Sequence, residues 1–201
     1  MIGTAPGIVS EMSQNPQTTR NLEAAGHKSA GPTFEELYLE HYARIISVLV
    51  RLLGDPAQAE ELANDVFWRL YRQRLTLSPD ANIGGWLYRT ATNLGIDALR
   101  SAARRRQYEH AAGELHALAG TAASPLDDVL RAEKCDRVRG VLARLKPNQA
   151  QILVLRASGF SYKELAETLS VAGGSVGTML ARAESAFAEA YREAYGHEEG
   201  L

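Results

Sequence analysis

The chain has 201 residues, 45% of them hydrophobic and 23% charged, with a formal net charge of −2. That composition excludes a chain disordered throughout, and no apolar run approaches the roughly 18 residues needed to span a bilayer. The single cysteine, Cys135, excludes an internal disulfide and a thiolate metal cluster.

Residues 1–31 mix Gly, Pro, Ser, Thr, Asn and Gln without apolar periodicity and read as a disordered tail. The opening MIGTAPGIVSEMSQNPQ has neither a basic start nor an apolar core, so no secretory signal is expected and the chain reads as cytoplasmic. From Thr33 the character changes. Thr33 and Glu36 carry a capping-box signature, and Phe34, Leu37, Tyr38, Tyr42, Ile45, Ile46, Leu49 and Val50 recur at helical spacing. Gly54 ends that helix and Asp55-Pro56 starts the next, because proline at the first helical position loses no hydrogen bond. The second helix sets Leu62, Val66, Leu70 and Tyr71 on one face and breaks near Ser78-Pro79. A third begins between Asn82 and Gly85.

That third helix contains LYRTATNLGIDALRSAARRR, Leu87 to Arg106, with five arginines against one aspartate, a local net charge of +4 in a chain that is negative overall. Leu87, Ala91, Leu94 and Ala98 form an apolar stripe, while Arg89, Asn93, Asp97, Arg100 and Arg104 fall three or four apart on another side. A solvated face would explain such a stripe. The run Arg104-Arg105-Arg106 favours phosphate contact instead, Asn93 is a side chain able to read a base edge, and Trp86 and Tyr88 are aromatics that either pack in a core or stack on unpaired bases.

Residues 107–124 are poor in large apolar side chains and read as a linker. Ser124-Pro125 with Asp127 marks another helix start, continued by Leu126, Val129, Leu130, Val138, Val141, Leu142 and Leu145. Pro147 opens a short helix through Leu155 that Gly159 ends, and Ser161 with Glu164 forms a second capping box. The helix carrying Leu165, Ala166 and Leu169, the turn Ser170 to Gly174, and a last helix from Ser175 to about Tyr195 have the spacing of a helix-turn-helix, with Val176 a core contact. No segment alternates with a period of two, so the fold class expected is all-α, as two small helical domains joined by a flexible linker. The five histidines are scattered, and there is no phosphate-cradling glycine loop and no nucleophile elbow. No metal, cofactor or catalytic residue is expected.

Together these segments resemble the sigma-70 family of RNA polymerase sigma factors, in its compact extracytoplasmic-function (ECF) group. The carriers are FEELYLEHYARI, GDPAQAEELANDVFWRLYR, WLYRTATNLGIDALR and LKPNQAQILVLRASGFSYKELAETLSV, in that order. The resemblance implies a region 2 over residues 32–106, a linker over 107–124, a region 4 over 125–196 and a short tail over 197–201. It implies that Glu61, Asn64, Asp65, Phe67 and Arg69 face the clamp of the polymerase's largest subunit. It implies minus-10 recognition and melting by Trp86, Arg89, Asn93, Asp97, Arg100, Arg104, Arg105 and Arg106. Lys163, Ser175, Thr178 and Arg182 would meet the minus-35 element, and region 4 would contact the flap of the second-largest subunit.

The implied partners are therefore core RNA polymerase, promoter DNA and an anti-sigma factor, with no membrane insertion of the chain's own. Two departures stand out. The positions after Ser175-Val176 that are usually basic are Gly177, Thr178 and Met179, and residues 161–192 hold three basic against four acidic side chains. Gly95 inside a helix costs about 1 kcal/mol relative to alanine. A helix-turn-helix regulator acting without replacing the sigma subunit, or a protein-interaction module, are the alternative readings.

Overall fold

In the computed structural model, which describes residues 32–73, 81–111 and 126–196, the first helix, α1 (Phe34–Leu53), begins directly after Thr33. It ends at Gly54, whose φ of 75° is a left-handed conformation that glycine adopts without steric penalty, with the Gly54 N–H donating to the Val50 carbonyl at 2.8 Å. Asp55 caps α2 (Pro56–Gln73), its Oδ1 accepting from the Ala57 and Gln58 N–H groups. Asn82 caps α3 (Ile83–Ala111) in the same way, its Oδ1 accepting from the Gly85 N–H at 2.7 Å. The expected break at Ser78-Pro79, both tails, the Ser124-Pro125 start and residues 112–124 of the linker lie outside the described residues. Residues 107–111, expected to belong to the linker, continue α3.

The C-terminal half comprises α4 (Leu126–Arg144), α5 (Pro147–Ala157), α6 (Tyr162–Leu169) and α7 (Gly173–Tyr195). Helix α5 runs two residues past Leu155. Gly159, at φ 87°, closes it as the Phe160 N–H returns to the Leu155 carbonyl. Helix α7 starts two residues before Ser175, because Ala172 is extended and its carbonyl accepts from Ser175 N–H, drawing Gly173 and Gly174 into the first turn. All described elements are helical, as the periodicity required.

The seven helices belong to one compact unit, and side chains from all seven form one contiguous buried cluster. Two buried faces differ from the stripes read off the sequence. On α2 the buried residues are Ala59, Ala63, Val66, Phe67 and Leu70, while Tyr71 is exposed. On α3 they include Leu87, Tyr88, Ala91, Thr92, Ile96 and Leu99, while Leu94 and Ala98 are half-buried. Small and polar residues line these faces where helices approach closely, and a count of large apolar side chains passes over them. On α4, Val141 and Leu142 are buried whereas Leu130 and Val138 are exposed.

Candidate nucleic-acid interface

Helix α3 carries the basic stripe, and its surroundings divide the stripe in two. Trp86 is half-buried and packed on the core. Beyond it, Arg89, Asn93 and Arg100 all meet the C-terminal half. Arg89 donates from Nη1 to Ser170 Oγ at 2.6 Å. Asn93 Oδ1 accepts from Gln151 Nε2 at 3.1 Å. The Gln151 amide, 8% exposed, also reaches Thr92 Oγ1 at 2.7 Å and the Arg89 carbonyl at 3.3 Å. Arg100 donates to the Leu145 carbonyl at 2.8 Å and the Ala143 carbonyl at 3.3 Å. Those carbonyls stand at the C-terminus of α4, where backbone acceptors lack helical partners and the dipole favours a cation. Asp97 is exposed and lies 3.8 Å from Arg100. Arg104, Arg105 and Arg106 are exposed, Arg104 donating to Ser101 Oγ at 3.0 Å.

The second candidate surface is the helix-turn-helix of α6 and α7. Ser161 Oγ accepts from the Glu164 N–H and Glu164 Oε2 accepts from the Ser161 N–H, a reciprocal cap. Ser170 ends α6 at φ 55°, a left-handed conformation that costs a residue with a Cβ about 1–2 kcal/mol. Val176 is fully buried, as expected, and Ala166 is half-buried against the core. Lys163, Ser175, Thr178 and Arg182 are all exposed.

Between the two surfaces, Phe160 is buried against Tyr88, edge to face at 4.9 Å, with the Arg44 guanidinium 3.9 Å above its ring. Arg44 then pairs with Glu164 at 2.8 Å. The Ser161 backbone N–H first, and then Arg44, hold the Glu164 carboxyl at about 2. His41 lies beside Tyr88, Nδ1 to hydroxyl 3.2 Å, and burial lowers the His41 pKa and raises that of Tyr88. Sequence reasoning missed Phe160, Gln151, Ser170 and Arg44. Apart from the capping box at Glu164, nothing local marks them.

On α2, Glu61, Asn64 and Arg69 are exposed and Asp65 is half-buried, paired with Arg69 at 2.9 Å. Asn64 accepts from the Tyr42 hydroxyl at 3.3 Å. Phe67 does not face outward: it is 3% exposed, packed edge to face on Phe34 and Tyr38. It sits one position round the helix from Val66, inside the buried arc. The exposed aromatics are Trp68 at 58% and Tyr71 at 57%, stacked 5.9 Å apart. The signal that would have found Trp68 is its place four residues after Asn64 and three after Asp65.

Among the described residues no group of three or more His, Cys, Asp or Glu side chains could hold a metal ion, and no helix is long and apolar enough to cross a membrane.

Two family models match this arrangement: Sigma-70 region 2 over residues 37–105 and Sigma-70, region 4 over residues 135–187. The chain is 28% identical over 173 residues to the ECF RNA polymerase sigma factor SigE of Mycolicibacterium smegmatis, covering 86% of this chain and 66% of that protein. It is 30% identical over 148 residues to the RNA polymerase sigma factor CarQ of Myxococcus xanthus, covering 73% of this chain and 82% of that protein. Among solved structures, the sigma factor RpoE of Bartonella quintana, crystallised with the anti-sigma factor NepR, aligns with a TM-score of 0.47 and 20% identity, over 79% of this chain and 96% of that one.

Proposed function

The chain belongs to the sigma-70 family of RNA polymerase sigma factors, in its ECF group, and from that membership we propose a division of labour among its surfaces. The exposed face of α2, with Glu61, Asn64, Asp65 and Arg69 joined by Trp68, docks on the clamp of the polymerase's largest subunit. Helix α3 opens the minus-10 element, Asn93 meeting an extruded base, Arg89 and Arg100 flanking it, and Arg104 to Arg106 neutralising backbone phosphates. Helix α7 enters the minus-35 major groove through Ser175, Thr178 and Arg182, with Lys163 on α6 beside it. The C-terminal half also meets the flap of the second-largest subunit.

The observation that carries this reading is the continuity of Arg89, Asn93, Asp97, Arg100 and Arg104 along one side of a single helix, ending in three exposed arginines. Extruding a base costs a few kcal/mol, which contacts to the flipped base repay at about 1–3 kcal/mol per stacked base. Phosphate contacts hold the complex meanwhile and make its affinity salt-dependent. The α7 face supplies one arginine, so the minus-35 contact leans on the hydroxyls of Ser175 and Thr178, the helix N-terminal amides and DNA shape. The factor itself performs no chemistry, works in the cytoplasm with the polymerase, and is held in check by an anti-sigma partner.

Reconstitution tests it. Core polymerase plus this chain should yield specific run-off transcripts from a promoter library, with starts mapped by sequencing. No specific start from any promoter would overturn the assignment.

A further inference from the structure

Helix α3 does not stop at the arginine run. It continues unbroken to Ala111, and the turn beyond Arg106 carries Tyr108, whose side chain is 74% exposed. A ring left in water contributes little to a core, and tyrosine is typical of contact surfaces because it joins an apolar body to a polar tip. Its place on the helix is specific. Tyr108 follows Arg104 by four residues and Arg105 by three, so the three side chains share one face. Arg100, Arg104, Arg105 and Arg106 all fall between Asp97 and Glu109, with no acidic residue among them. Arg100 is engaged by the Leu145 and Ala143 carbonyls of α4, whereas Arg104, Arg105, Arg106, Gln107 and Tyr108 are all exposed. An aromatic set among unopposed arginines at the open end of the stripe fits a polyanion.

We propose that the last turns of α3 are a further DNA-binding element, in which the Tyr108 hydroxyl donates to a backbone phosphate of the duplex upstream of the melted segment. This rests on the sigma-factor reading above. Tyr108 lies fifteen residues beyond Asn93, which is about 22 Å along the axis at a rise of about 1.5 Å per residue. On B-form DNA, at about 3.4 Å per step, that span is about six base pairs. Strands part from the extruded base toward the transcription start, so the DNA on the other side of that base is still paired. The charge on α3 has the matching polarity. Duplex carries one phosphate per about 1.7 Å, twice the density of a single strand, and the arginine run stands C-terminal to Asn93. Paired bases offer no free face for a ring to stack on, so the polar tip makes the contact, as tyrosine does among the side chains that hold phosphate. Such a contact reads no sequence and fixes register. Because α3 is one helix, Tyr108 and Asn93 are held at a set spacing, and the phosphate grip selects which base stands at Asn93.

The test uses holoenzyme made from the full chain and core polymerase, with forked DNA from a start mapped in the reconstitution. One fork keeps about twelve base pairs of duplex upstream of the extruded base and the other about three, either side of the reach that the helix rise sets. Tyr108→Phe keeps the ring and removes only the hydroxyl. It should bind the long fork about tenfold more weakly than the wild type, the size of a hydrogen bond to a charged group, and the short fork equally well. Methylphosphonates about five to seven base pairs upstream, which neutralise the phosphates within reach, should weaken the wild type and leave Y108F unmoved. Equal binding of wild type and Y108F to the long fork overturns the proposal. So does an equal loss on both forks, or weaker binding of Y108F to core polymerase without DNA, which would give the ring to the polymerase instead. If wild-type holoenzyme binds neither fork, the sigma-factor reading falls, and the Tyr108 contact with it.

Discussion

Replacing Gly95 by alanine sets two known quantities against each other. In the interior of α3, alanine is favoured over glycine by about 1 kcal/mol through backbone entropy alone. Against that, a Cβ at position 95 would lie 2.5 Å from Leu52 Cδ2 and 3.1 Å from Leu49 Cδ2. Both leucines are buried, 2% and 0% exposed, so neither methyl can swing into solvent. Relieving the overlap means shifting α3 on α1 or forcing a leucine off its rotamer, which costs about 1–3 kcal/mol in a packed core. The overlap wins, with a net destabilisation of about 1 kcal/mol and a melting temperature lower by about 2–4 °C for a domain of this size. Thermal denaturation followed by circular dichroism measures it. The double-mutant cycle sharpens the result: in a Leu52→Ala background the space is open, and Gly95→Ala should become stabilising. A higher melting temperature for Gly95→Ala in the wild-type background would refute the close approach of α1 and α3.

Phe67→Ala and Trp68→Ala should separate stability from docking. Truncating the buried Phe67 costs about 3–5 kcal/mol of stability, whereas Trp68→Ala leaves the denaturation midpoint nearly unchanged and weakens core-polymerase binding at least tenfold, the size expected of an aromatic anchor. The Glu164 carboxyl, held at about 2 against an ordinary 4.5, contributes stability that is present above about pH 4.5 and lost as the pH falls toward 2. Because the side chain is 37% exposed, the contribution is limited to about 1 kcal/mol. An acid titration of stability should therefore be flatter in Glu164→Gln than in the wild type over that window. Neutralising Arg104, Arg105 and Arg106 together should weaken promoter binding by the holoenzyme more than Arg182→Ala does, and make its salt dependence shallower by about 2–3 in log–log slope. The reverse ranking would move the main phosphate grip to α7.

The helices and their ends were legible in the chain because the groups that decide them are close together in it. Asp55 caps the two residues after Pro56, Glu164 and Ser161 are three apart, and Gly54 and Gly159 stop helices by their own backbone freedom. The positive run on α3 and the exposed readers on α7 were legible for the same reason, since charge and spacing are local. Which arc of each helix is buried was less so. Phe67 turned inward and Trp68 outward because Ala59 and Ala63, small residues that carry little apolar signal, let α2 approach its neighbours on that side.

Gly95 looked like a cost without a return until Leu49 and Leu52 appeared against it. The occupation of Arg89, Asn93 and Arg100 was beyond any local reading. Gln151 lies 58 residues from Asn93 and Glu164 lies 120 from Arg44. The sequence by itself determined a chain of capped helices, a positive face and a helix-turn-helix, all set by contacts within a few residues. Only the tertiary structure decided that the positive face is shared with the chain's other half, because that depends on which distant surfaces meet once the helices pack.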